Sequence, residues 1–96
     1  MSKEATRDLI ERYFAAFNDH SIEGMLACLH EDVAHDVNQG ERRIGLAKFK
    51  EFSIHMERSY REELSDMVIM VSEDGNRAAA EFTVRGEYLA TDEGLP

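Results

Sequence analysis

Between Lys3 and Asn18 the apolar residues Leu9, Ile10, Tyr13, Phe14 and Phe17 recur at spacings of three and four, one stripe of a helix. Ser2 or Thr6 can cap its start, and Asn18-Asp19 can end it. Ser21 can cap a second helix with Ile22, Met25, Leu26 and Leu29 on its inner side, so the two predict a helical hairpin. Val33 to Val37 alternates apolar and polar residues like a short strand, Asn38-Gln39-Gly40 has turn chemistry, and Glu41 to Gly45 leads into a third helix. Leu46, Phe49, Phe52, Ser53, Met56 and Tyr60 form the stripe of that helix, with Lys48, Lys50, Glu51, Glu57 and Arg58 largely on its outer side. From Glu62 the period becomes that of strands. Met67 to Val71 is an apolar run, and Glu73-Asp74-Gly75-Asn76 supplies a hairpin turn. The return strand sets Ala78, Ala80, Phe82, Val84, Gly86 and Tyr88 on one face and Ala79, Glu81, Thr83, Arg85, Glu87 and Leu89 on the other. The predicted class is α+β, in the order α-α-β-α-β-β.

Composition narrows the partners. Ninety-six residues, 43% hydrophobic, suit a single domain over 1–96 that can build a modest core without metal or disulfide. A net charge of −9, from 11 basic and 20 acidic residues, argues against nucleic acid or anionic membrane and is compatible with a neutral or basic ligand. The N-terminus has no apolar signal segment and no run approaches the roughly 18 apolar residues of a membrane span, which predicts a cytoplasmic protein. Cys28 is alone in apolar company, so it is expected to be a buried structural thiol. His20, His30 and His55 are expected at the surface, and their spacings fit no metal template; no metal or cofactor is implied.

The chain turns from helix to sheet at Val33 to Gly45, and Asp36 is the ionisable residue at the end of that short strand. It can cap the following turn through nearby backbone N–H groups, or it can face a pocket. His35 alternates with it across the strand, so only one of the two can point inward.

Several segments together resemble the ketosteroid isomerases and, more broadly, the SnoaL-like polyketide cyclases of the nuclear-transport-factor-2-like superfamily. They are Arg12-Tyr13 with Ala15-Ala16-Phe17-Asn18, Ile22-Glu23-Gly24-Met25, Asp36 nine residues before Gly45, and Ala80 to Val84 with Glu87-Tyr88. The resemblance spans roughly residues 5 to 90 and implies a cone: a strongly curved antiparallel sheet around a deep apolar pocket closed by helices, commonly dimeric through the sheet. In the isomerases a carboxylate moves a proton alpha to a ketone while a tyrosine and a protonated aspartic acid hydrogen-bond the dienolate oxygen. The resemblance places Asp36 at the base and Tyr13 at the tyrosine. The spacing between them is one residue shorter than in the isomerases, which leaves His35 as the rival to Asp36, and the second acid has no counterpart.

The expected pocket is lined by Phe17, Phe49, Phe52, Met56, Phe82, Val84 and Tyr88. Asp36 and Tyr13 are expected to share that cavity, with apolar walls raising the carboxyl pKa. Family members generally add two long strands after the position of Tyr88, so the chain is expected to be a C-terminally shortened form of the fold. The last strand would be an open edge, and a homodimer is expected. Three functions fit: an isomerase, cyclase or hydratase acting on a small lipophilic carbonyl compound, a binding domain for an apolar small molecule, or an assembly module.

Overall fold

Ser2 and Ser21 set the first two helices. The Ser2 hydroxyl accepts the Ala5 N–H (3.1 Å) ahead of α1, Lys3–Asn18, and the Ser21 hydroxyl accepts the Gly24 N–H (3.0 Å) ahead of α2, Ile22–Leu26. The computed structural model describes residues 1–37 and 40–90. The order continues through β1, Ala34–His35, β2, Arg43–Ile44, α3, Leu46–Ser59, β3, Tyr60–Val71, and β4, Ala78–Tyr88. β2 is an addition to the predicted order: Arg43 and Ile44 pair antiparallel with His35 and Ala34 before α3 begins. Tyr60 belongs to β3 rather than to the stripe of α3, so helix passes into strand without a loop. The Asn38-Gln39 part of the expected turn and the tail from Thr91 lie outside the described residues.

The expected sheet is two antiparallel pairs, β1 with β2 and β3 with β4. The long hairpin is bent by a bulge. Ser65 pairs with Thr83 and Val68 with Glu81, so Asp66 and Met67 together face Phe82, and Asp66 takes a left-handed backbone (φ 54°). The extra residue switches the parity of β3. Tyr60, Glu62 and Leu64 face inward before it, and Met67, Ile69 and Val71 after it. Val68 and Met70 are therefore on the outer face and about half exposed. The apolar run from Met67 to Val71 is therefore covered on one face, chiefly by α1.

α1 also closes the free edge of β3. The Asn18 amide donates to the Leu64 carbonyl (3.0 Å) and accepts its N–H (2.8 Å), and the Arg7 guanidinium donates to the Ile69 carbonyl (3.0 Å). At the far end Gly75, in a left-handed turn (φ 77°), accepts the Thr6 hydroxyl, and the N-terminal ammonium donates to Asn76 Oδ1 (3.3 Å). A Cβ at Gly75 would collide with the Met1 carbonyl. Met25 of α2, Phe49 of α3 and Leu64 of β3 are the buried apolar side chains among the described residues.

Candidate functional site

A cavity of about 100 Å³ opens between α1, α3, β1 and the first residues of β3. It is lined by Tyr13, Phe17, Met25, His35, Phe49, Phe52, Ser53, Met56, Tyr60 and Glu62, with the exposed His20 and Glu57 at its mouth. The stripe of α3 supplies Phe49 and Ser53, and its next step of four is Glu57.

β1 decides which ionisable residue enters. Ala34 and Asp36 are exposed and His35 is half-buried, as alternation requires. The imidazole lies between the rings of Phe49 (4.8 Å) and Phe52 (4.9 Å). Its Nδ1 is closed off with no hydrogen-bond partner among the described residues, and the cross-strand Arg43 guanidinium sits over Phe52 (5.1 Å). Burial and then the Arg43 charge hold the His35 pKa below its ordinary value, so the ring is neutral at pH 7. Protonation would add a charge in an apolar site beside a cation.

The expectation that Asp36 shares the cavity with Tyr13 is corrected. Asp36 points away and receives two hydrogen bonds from Arg42, each 2.8 Å. The Arg42 hydrogen bonds hold its carboxyl below the usual range, opposite to the expected shift. One strand cannot send neighbouring residues to the same face, and apolar contact with Phe49 and Phe52 favours imidazole over carboxylate.

Tyr13 does line the cavity. Its ring meets Phe49 (6.4 Å) and Phe14 (5.0 Å), and burial, with Cys28 nearby, pushes its pKa up, so the hydroxyl stays protonated. Phe17, Phe49, Phe52 and Met56 are placed as expected. Phe82, Val84 and Tyr88 are not. They lie on the inward face of the hairpin but outside this cavity: Phe82 packs on Phe14 of α1 (5.4 Å), Tyr88 on Tyr60 (5.3 Å), and Val84 is 48% exposed. Cys28 is half-buried and free, its thiol on the Gly24 carbonyl (3.5 Å), against a second apolar cavity of about 330 Å³ that also touches Tyr13. No group of three or more metal-ligating side chains occurs among the described residues.

Sequence reasoning placed His20 at the surface and Glu57 on the outer side of the third helix, and both are exposed; it missed that they also border the cavity, with His20 Nδ1 3.3 Å from Glu57 Oε1, and that Glu62 joins them. The step of four from Ser53 to Glu57 and the alternation from Tyr60 to Glu62 were the available signals.

Comparison with known proteins agrees with this architecture. A SnoaL-like domain profile matches residues 10–96. The chain belongs to the SnoaL-like domain family. Among solved structures, this SnoaL-like chain is similar to a proposed polyketide cyclase from Silicibacter sp. TM1040, at 57% identity and a TM-score of 0.93, covering all of this chain and 70% of that one. A second proposed polyketide cyclase, from Pseudomonas putida KT2440, aligns at 54% identity and a TM-score of 0.92 with the same coverage. An NTF2-like protein of unknown function from the same organism shares the fold at 24% identity and a TM-score of 0.60, covering 96% of this chain and 66% of that one. No protein of curated function matches. The α+β cone of the SnoaL-like and NTF2-like proteins is thus the fold of this chain. No described helix is long and apolar enough to cross a membrane.

Proposed function

We propose that this SnoaL-like domain binds a small lipophilic carbonyl compound and moves a proton alpha to the carbonyl, as an isomerase or cyclase does. The observation that carries the reading is the pairing of Tyr13 and His35 in one aromatic cavity. Burial keeps the phenol protonated, and burial with Arg43 keeps the imidazole neutral. Neutral donors in a low-dielectric cavity favour negative charge that develops on a carbonyl oxygen over water held there. The two similar structures named as proposed polyketide cyclases support the same class of chemistry. A volume of about 100 Å³ fits a single ring. Asp36 enters this reading as a surface charge held by Arg42.

A β,γ-unsaturated cyclohexenone is the test substrate. Conversion to the conjugated enone is expected, with deuterium incorporated from heavy water. Tyr13→Phe should lower kcat about 10²–10³-fold, the usual effect of losing one donor to a developing oxyanion. Binding, followed by NMR shifts of His35, should weaken much less. Binding without conversion or exchange would make the domain a receptor for apolar small molecules.

A further inference from the structure

Tyr13 and His35 line the cavity, the Asp36 carboxylate just after β1 is held outside it by Arg42, and the lowered His35 pKa makes that imidazole a weak base. Proton transfer needs an acceptor, and the mouth provides one. His20 follows α1 with a left-handed backbone (φ 57°), uncommon outside glycine, asparagine, aspartate and histidine. Three backbone bonds hold that conformation: Asp19 N–H to the Ala15 carbonyl (3.0 Å), His20 N–H to Phe17 (3.0 Å) and Ser21 N–H to Ala16 (2.9 Å). The imidazole is thereby carried over the end of α3, where Nδ1 meets Glu57 at 3.3 Å. Both side chains are about two-fifths exposed, so the pair borders the apolar cavity on one side and water on the other. A base oriented by a carboxylate on its second nitrogen is a recurrent arrangement for proton transfer.

We infer that His20, oriented by Glu57, accepts and returns the proton at the cavity mouth while Tyr13 and His35 hold the carbonyl oxygen. The inference rests on the reading of the cavity given above. His20 donates Nδ1–H to Glu57, and its Nε2 lone pair takes the α hydrogen as a proton. The C–H electron pair becomes the enolate double bond, and the carbonyl π pair moves to oxygen. In the second half the oxygen pair re-forms the carbonyl, the γ carbon takes the proton back, and His20 is neutral again. No other reactant is consumed. The charged and titratable groups around His20 are Glu57 from α3, Tyr60, Arg61 and Glu62 from β3, and His35 and Tyr13 on the cavity side.

The test is kcat and KM for the β,γ-unsaturated cyclohexenone with purified wild type, His20→Gln and Glu57→Gln. His20→Gln should lower kcat about 10²–10⁴-fold with little change in KM. Glu57→Gln should lower kcat less than His20→Gln does, with KM unchanged, and Glu57→Asp should restore part of the loss; a merely structural contact would leave kcat in place. In wild type, saturation with cyclohexanone should shift the His20 ring resonances, a readout independent of how the variants fold. Undiminished kcat in His20→Gln, or unmoved His20 resonances, overturns the inference and leaves the cavity reading standing. Loss of kcat in Glu62→Gln with His20→Gln active would move the role to Glu62. A wild type that neither converts nor exchanges the enone overturns both.

Discussion

At the scale of single residues the site turns on adjacent positions with opposite fates. His35 is buried against two aromatic rings and its pKa is lowered; Asp36 is exposed and lowered by Arg42. Asp36→Asn should therefore cost less than about tenfold in proton exchange, well short of the 10²–10⁴ expected of a general base. A loss of that larger size would return Asp36 to the chemistry. For His35 the sign follows from linkage. The unfolded imidazole titrates at about 6.5 and the folded one lower, so between those values the unfolded chain binds more protons. Stability should then fall as pH drops below about 6.5, and denaturation midpoints of His35→Phe should show a shallower fall. The alternation that separates these residues was legible in the sequence; which of them faced inward was not, because it depends on Phe49 and Phe52 arriving from another element.

At the scale of elements, the bulge of β3 and the closure of its edge by α1 set the long hairpin. Asn18 meets both backbone groups of Leu64, part-buried and far away in sequence. Asn18→Ala leaves that donor and acceptor unpaired and should lower unfolding free energy by about 1–3 kcal/mol in urea titrations. Asp66 holds a left-handed backbone at the bulge. Asp66→Gly removes the strain at some cost in chain entropy, so stability should stay level or rise by up to about 1 kcal/mol, whereas a β-branched residue there should lower it. Helix stripes, caps and the Asp74-Gly75 turn were readable from spacing. The bulge was not, since no residue in Leu64 to Val68 signals a change of parity: only pairing with β4 shows that Asp66 and Met67 share one partner.

At the scale of the whole molecule, the two edges of the long hairpin are treated differently. Asn18 and Arg7 satisfy the edge of β3, while β4 is exposed along nearly its whole length, with Phe82, Val84 and Tyr88 between 37% and 58% exposed on its inward face. Unpaired strand backbone beside apolar side chains promotes association. Sedimentation equilibrium of these 96 residues at low micromolar concentration should show a dimer or larger species, and Val84→Lys should shift it toward monomer. A stable monomer in both would mean that the edge is covered from within the chain.

Local periodicity by itself determined the helices, the hairpin, the α+β class and the aromatic stripe of α3, because each depends only on which residues recur at three, four or two. It also narrowed the choice at the end of β1 to His35 or Asp36. Only the tertiary structure decided that His35 enters, that Phe82, Val84 and Tyr88 lie beyond the cavity, and that His20 meets Glu57 at its mouth. These depend on how far α1 and α3 reach across the sheet and on a backbone reversal at His20, and such long-range geometry has no period in the sequence.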